Sequence, residues 1–360
     1  MTFRIRFAIP LILIAELLSV PSHAEDALGT AGPIRSFGGK CQLPYAAVQR
    51  GECDPPEIAA SLPAEDRSRQ RVARARALVE VARLPQAISE LDVAITEQPG
   101  NVSALLLRAR LRIPGQLTEA RLDLVRTLEL DPANADALAT MAFMLIGQDD
   151  AAGFQTATDA LAINPSSVDA LWIRAILSNR TGKLDQAETD LDQAIALEPD
   201  DRRTRLARAE VRLKVGKTAG AKEDLDAMLA SRPDRQALQL RAALLAGTGD
   251  DSGALADLNK ILGPPGQRVL PGPMWPDLVN MYVQRALVLT RTGREPEAKQ
   301  DLETIVTLGG NRAVLQMQVY LRNHGFPDVS LDGKRSDRLD EALRACFING
   351  ACGRGIAIRG

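Results

Sequence analysis

Residues 174–199 read RAILSNRTGKLDQAETDLDQAIALEP, and this stretch contains every marker of a unit that the chain repeats. Ala175 and Ala187 lie on either side of Gly182, and Pro199 closes the stretch. Glycine suits the left-handed residue that ends many helices, and proline cannot continue a helix because it lacks the backbone N–H. The stretch therefore predicts two helices joined by a short turn.

The same markers recur along the chain at a nearly constant interval. Prolines recur about every 34 residues, at positions 99, 132, 165, 199 and 233. Alanine pairs with the spacing of Ala175 and Ala187 occur in most units, and only Ala109 and Ala120 are closer by a single position. A fixed period of this kind indicates stacked repeats. We therefore predict an all-α fold, a right-handed α-solenoid of helix–turn–helix units.

These spacings resemble the tetratricopeptide repeat (TPR), which has a small residue in helix A, a turn glycine, alanines in helix B and a closing proline. The resemblance covers residues 66–311 and implies about seven units. The unit at 134–165, around Ala142 and Gly153, is degenerate. A Gly- and Pro-rich loop insertion at 263–276 interrupts the rhythm before the last unit.

An arginine precedes the first alanine of each well-formed unit, and an acidic residue follows it at a nearly fixed distance. The degenerate unit has Met141 and Thr156 at these positions and so lacks both partners. We predict an arginine–carboxylate bridge between the two helices of each unit, because arginine can hold a carboxylate through two parallel hydrogen bonds. A row of catalytic acids is the alternative, but one pair per unit is what a repeated structure predicts. The predicted pairs are Arg74 with Glu90, Arg108 with Asp123, Arg174 with Asp190, Arg208 with Asp224, Arg241 with Asp257, and Arg285 with Asp301.

Residues 1–24 have the three-part pattern of a secretory signal peptide. Two arginines precede an apolar run from Phe7 to Val20, and small residues precede a predicted cleavage site after Ala24. An uncleaved membrane anchor is the rival interpretation, but the run is shorter than the roughly 20 residues of a span and contains Glu16. The sequence therefore predicts a periplasmic or secreted protein, with no transmembrane span after cleavage.

The cysteines lie in two short segments beyond the predicted signal peptide. Cys41 and Cys53 fall in an N-terminal extension, residues 25–62, and Cys346 and Cys352 lie near the C-terminus. An even number of cysteines in an exported chain favours disulfides over a zinc site, for which a single histidine would remain. The sequence does not fix the connectivity. Local pairing, Cys41 with Cys53 and Cys346 with Cys352, would leave the helical middle uncrossed.

Residues 313–360 depart from the repeat. The order Leu321, Gly325-Phe326, Asp332-Gly333 and Leu339 resembles a small three-helix peptidoglycan-binding domain. That family's second glycine after the Asp-Gly turn and its Phe-Gln ending are missing here. The alternative is a C-terminal capping element that covers the apolar end of the last repeat, as solenoids require.

The sequence contains no motif that predicts catalysis. It lacks His-Glu-x-x-His, Gly-x-Ser-x-Gly and a phosphate-binding loop, and its net charge of −2 disfavours nucleic-acid binding. We predict a protein that is not an enzyme and needs no cofactor or metal. Its expected role is a protein-interaction scaffold of the bacterial cell envelope, and the alternative is a peptidoglycan-associated protein tethered through its C-terminal segment.

The TPR resemblance implies that a partner protein or peptide binds the concave surface lined by helix A of each unit. The positions that the family uses for such contacts correspond here to Arg69, Arg76, Arg110, Phe143, Trp172, Asn179, Arg203, Glu210 and Lys214.

Overall fold

The computed structural model describes residues 58–80, 82–265 and 275–347. These ranges contain α1 (Ala64–Glu80), α2 (Leu84–Glu97), α3 (Val102–Arg112), α4 (Leu117–Leu130), α5 (Ala135–Leu145), α6 (Asp150–Ile163), α7 (Val168–Arg180), α8 (Leu184–Leu197), α9 (Arg202–Lys214), α10 (Thr218–Ser231), α11 (Arg235–Thr248), α12 (Asp251–Leu262), α13 (Trp275–Arg291), α14 (Glu295–Asn323) and α15 (Asp337–Phe347). No strand occurs within them, so the all-α prediction is confirmed.

The helices pack in chain order within two compact regions, residues 1–204 and 205–360. In the first region α1 pairs with α2, α3 with α4, α5 with α6, and α7 with α8. In the second region α11 pairs with α12, and α13 with α14. The predicted signal peptide, three of the four cysteines and most of the predicted loop insertion lie outside the described residues.

Each helix pair closes over fully buried alanines, because a methyl group lets two helices approach closely. Ala175 and Ala187, the pair in the opening stretch, have no exposed surface. Between them Gly182 adopts a left-handed φ of 78°, and the N–H of Lys183 donates to the carbonyl of Ser178 at 2.8 Å. This hydrogen bond satisfies a carbonyl that the end of α7 would otherwise leave unpaired.

Polar side chains begin the first helices of three consecutive units. The Asn101 side chain accepts from the N–H of Ala104 at 3.0 Å, and Asn134 accepts from Ala137 at 2.9 Å. Ser167 caps α7 in the same way. Such N-caps satisfy backbone donors that have no partner in the first turn, so they fix the start of each unit.

The structure places each of the six predicted arginines against its predicted acid. Arg74 donates to Glu90 at 3.0 Å, and each of the other five arginines donates two hydrogen bonds to its acid. The hydrogen bond to Asp257 outweighs burial and raises the pKa of Arg241 above its usual value. These paired hydrogen bonds join the two helices of a unit and fix their register.

Several of these arginines also reach the helix pair that precedes them. Arg108 donates to Asp92 at 2.7 Å, and Arg241 donates to Asp226 at 2.6 Å. Each of these two arginines therefore links consecutive units, which the spacing within one unit does not reveal.

The C-terminal segment is held against the second half of α14. Gly310 adopts a non-helical φ of 50° inside α14 and kinks it close to the predicted end of the repeats. Beyond the kink, the buried Gln318 donates to Asp332 at 2.8 Å and accepts from the N–H of Gly333 at 2.8 Å. Cys346 of α15 is buried and disulfide-bonded, and its predicted pairing with Cys352 stays a prediction.

Candidate partner-binding surface on α3, α5 and α7

A row of charged and polar side chains connects the first helices of three consecutive units. Arg110 of α3 donates through Nε to the hydroxyl of Thr140 on α5 at 3.1 Å. Its Nη2 lies 3.9 Å from a carboxylate oxygen of Asp136 on α5, and 3.9 Å from one of Asp169 on α7. One guanidinium therefore bridges two neighbouring helix pairs.

Arg203, at the start of α9, continues this row. Its Nη2 donates to Asp169 at 2.8 Å and lies 3.4 Å from Asp201, and the side chain is 8% exposed. Burial alone would lower the pKa of Arg203, but the charges of Asp169 and Asp201 outweigh it and raise the pKa above its usual value. Asp169 thus lies between two guanidinium groups, with a quarter of its side chain exposed.

Two aromatic side chains form the floor beneath the row. The rings of Phe143 and Trp172 stack with centroids 6.3 Å apart, and the guanidinium carbon of Arg203 lies 4.8 Å from the Trp172 ring centroid. Phe143 is 2% exposed and Trp172 is 1% exposed. The prediction that these two residues contact a partner is therefore wrong, because packing between α5, α7 and Arg203 buries both rings. The rings lie beneath the charged surface and support it.

The other predicted contact residues within residues 1–204 are Arg69, Arg76 and Asn179. Arg69 is exposed and pairs with Asp66 on its own helix, α1, while Arg76 lies half-buried on the same helix. Asn179 is half-buried near the end of α7.

Glu210 and Lys214 lie on α9, within residues 205–360. Glu210 accepts a hydrogen bond from Gln236 at 3.1 Å. Burial raises the pKa of Glu210, although Gln236 and the charge of Lys214 act in the opposite direction. Glu210, Gln236 and Lys214 form a polar cluster within residues 205–360.

Sequence reasoning missed Asp136, Thr140 and Asp169. Asp136, Asp169 and Arg203 follow one another at the repeat interval, so the three occupy the same position of consecutive units. Charged residues at one position of three consecutive repeats were the signal that could have found the two aspartates. In the described part of the chain, no cluster of His, Cys, Asp and Glu is suited to hold a metal ion.

Comparison with known proteins bears on the architecture. No protein-family model and no curated protein matches the sequence. Among solved structures, the Cut9-Hcn1 hetero-tetramer of the APC/C aligns with 77% of this chain and 55% of its own, at a TM-score of 0.53 and 14% identity. The fold is that of a TPR solenoid.

Smaller TPR solenoids give lower scores. A TPR protein from Parabacteroides merdae aligns with 70% of this chain and 96% of its own, at a TM-score of 0.46 and 20% identity. The pilF protein of Pseudomonas aeruginosa aligns with 55% of this chain and 92% of its own, at a TM-score of 0.49 and 16% identity. At these identities the likeness concerns the fold alone.

Proposed function

We propose that this TPR solenoid is a non-enzymatic scaffold that binds a partner protein or peptide on the surface of α3, α5 and α7. The observation that carries the proposal is the row of charges from Arg110 through Asp169 to Arg203, which spans successive helix pairs. Hydrogen bonds and ion pairs hold these groups in place before any partner arrives. Preorganisation of this kind lowers the entropy cost of binding.

The chemistry of the row favours an extended segment of mixed charge. The Asp136 side chain is 58% exposed and can accept hydrogen bonds from backbone N–H groups or basic side chains. Arg110 offers donors beside it, and the remaining exposed surface of Asp169 adds a second acceptor. An extended peptide presents donors and acceptors alternately, which matches this arrangement.

Neutralising the row should weaken partner binding. The double variant Arg110→Gln and Asp136→Asn removes both charges but keeps polar side chains, and we expect at least a tenfold loss of affinity, about 1.4 kcal/mol. The measurement is affinity capture from an extract of the source cells with the immobilised full-length protein. The captured partner is then titrated against each variant to measure its affinity.

A matched control removes the same charges elsewhere. Arg126 and Glu129 form an exposed ion pair on α4, 2.8 Å apart, outside the row. The variant Arg126→Gln and Glu129→Gln should retain the partner at full affinity. A partner that both double variants hold equally well would contradict the proposal.

The cellular location is a proposal that rests on residues 1–24, which the structure does not describe. We infer export across a bacterial inner membrane from the signal-peptide pattern. Among the helices of the described ranges, none combines the length and apolar character needed to cross a membrane. The peptidoglycan alternative rests on the sequence resemblance of residues 313–360 and stays a prediction.

A further inference from the structure

Polar side chains join the first helix pair, α1 and α2, to the second, α3 and α4, at two separate places. Asp92 of α2 accepts hydrogen bonds from Arg108 and Arg112 of α3, at 2.7 and 3.1 Å. In the buried part of the same junction, the amide of Asn101 donates to the hydroxyl of Ser68 on α1 at 2.8 Å. Hydrogen bonds require a particular distance and angle, so these two links fix how the second pair packs on the first.

The next junction, between the pair α3–α4 and the pair α5–α6, lacks both links. With a valine at the position of Ser68, the amide of Asn134 donates instead to Asp131 in its own loop, at 2.9 Å. The equivalent residues about one repeat interval further along the chain are Val125 for Asp92, Met141 for Arg108, Leu145 for Arg112, Val102 for Ser68 and Asn134 for Asn101.

Arg110 provides the remaining polar link at this junction. It donates to Thr140 at 3.1 Å and lies 3.9 Å from Asp136, both on α5. Within residues 102–163, all of which the structure describes, no other side chain of α3 or α4 makes a hydrogen bond or an ion pair to α5 or α6. The junction is therefore held by apolar contacts and by one guanidinium.

The junction that follows, between α5–α6 and α7–α8, is linked again. Arg180 of α7 donates to Asp150 of α6 at 3.0 Å, and the rings of Phe143 and Trp172 stack between α5 and α7. Dependence on a single side chain thus distinguishes one junction among the four helix pairs of residues 64–197.

Apolar contacts hold two helix pairs together without fixing the angle between them. Burial of apolar surface is non-directional, and exchange of an ion pair for apolar side chains often leaves stability unchanged. In a solenoid, the rotation from each unit to the next sets the curvature. A junction with a single directional link can therefore change its angle while every helix stays folded.

We propose that the junction between α3–α4 and α5–α6 is a joint of the solenoid, which Arg110 closes and which a bound partner opens. The opening by a partner rests on the proposed function, which places the partner on Arg110. A partner group that accepts hydrogen bonds from Arg110 competes with Thr140 and Asp136 for the same donors. Binding thus releases the one directional link of the joint, and the surface adjusts its curvature to the partner.

The distance between α2 and α6 reports the angle of the joint. Gln86 and Ala152 are exposed on these helices, so nitroxide amino acids placed there leave the core and the native cysteines unchanged. Double electron–electron resonance gives the distribution of distances between the labels in the free, full-length protein. Arg110→Gln mimics release of the guanidinium and should broaden that distribution roughly twofold, at an unchanged thermal unfolding midpoint. A distribution of wild-type width would overturn the proposal, because apolar packing would then fix the junction by itself.

Asp92→Ala is the matched control at the preceding junction, between the same two labels. It removes both arginine contacts of Asp92 but leaves the buried hydrogen bond from Asn101 to Ser68 in place. The distribution should therefore stay as narrow as in the wild type. Equal broadening by Asp92→Ala and Arg110→Gln would show that any lost ion pair loosens the solenoid, and would refute a joint at one junction.

Val102→Ser restores the buried link that the preceding junction contains. By repeat equivalence, the added hydroxyl comes to the amide of Asn134 as that of Ser68 does to Asn101. In this background Arg110→Gln should leave the distribution at its wild-type width. Broadening as large as that of Arg110→Gln alone would show that the lost hydrogen bond does not define the joint, and would contradict the proposal.

An extended peptide of alternating glutamate and lysine tests the opening by a partner. Saturation of the wild-type protein should broaden the distribution as Arg110→Gln does, and an unchanged distribution in the bound protein would refute the opening. A peptide that the protein does not bind would count against a mixed-charge partner, and so against both the proposed function and the opening. The results for the free variants concern the joint alone, so their failure would leave the proposed function standing.

Discussion

Replacing Arg285 with alanine is expected to lower the free energy of unfolding by about 3 to 5 kcal/mol. Arg285 and Asp301 form the most deeply buried of the repeat ion pairs, with side chains 1% and 0% exposed. Two hydrogen bonds of 2.7 and 2.6 Å join them, and Arg285 also donates to Asn259 at 2.8 Å. Removal of the guanidinium leaves a carboxylate without a counter-charge where water cannot solvate it.

The loss in the free energy of unfolding should depend on pH, because a protonated Asp301 carries no charge and so needs no counter-charge. Burial raises the pKa of Asp301 above its usual value even in the wild type, and Arg285 opposes that shift. An acid with a raised pKa in the folded state binds more protons when folded, so stability falls as pH rises above its unfolded pKa. Without Arg285, the free energy of unfolding should fall more steeply as pH rises. The difference in this free energy between the variant and the wild type should therefore shrink under acidic conditions.

Urea denaturation at neutral and acidic pH measures both effects. Arg294→Ala is the matched control, because Arg294 holds Glu297 through two hydrogen bonds of 2.6 and 2.5 Å on the exposed surface. Exposed ion pairs contribute about 1 kcal/mol or less, so this variant should remain close to the wild type. Similar losses in the two variants would show that burial does not set the strength of the Arg285 pair.

The residue spacing of the repeat predicted the ion pairs within one unit. Arg174 and Asp190 could be paired from sequence because nearly the same separation recurs in every well-formed unit and matches equivalent faces of two antiparallel helices. The second contact of such arginines, for example Arg108 with Asp92, depends on how one unit packs on the next. A spacing within one unit contains no information about that packing.

In the candidate site too, repeat spacing predicted some residue positions, whereas packing between helices decided which side chains are buried. Family positions located Arg110 and Arg203 in the charged row, and they also selected Phe143 and Trp172 as surface residues. Helical periodicity gives the side of a helix on which a residue lies, but it does not give the distance to the next helix. Because α5 and α7 pack directly against each other, the two rings are buried between them.

Trp172→Ala is the second substitution with a large expected effect, a loss of about 3 to 5 kcal/mol in the free energy of unfolding. The ring is 1% exposed, stacks on Phe143 and lies beneath the guanidinium of Arg203. Truncation to a methyl group leaves a cavity under the charged row and removes the cation–π contact. Thermal and urea unfolding of the full-length protein measure the loss.

Trp172→Phe separates the packing of the ring from its polar atom. The indole N–H is buried and has no hydrogen-bond acceptor in the described part of the chain. Phenylalanine therefore gives up no hydrogen bond and keeps an aromatic face for Arg203, so its cost should stay well below that of Trp172→Ala because it leaves a smaller cavity. If Trp172→Phe were as destabilising as Trp172→Ala, the indole nitrogen would have to be bonded in solution. Support of the charged row would then depend on that bond as well as on aromatic packing.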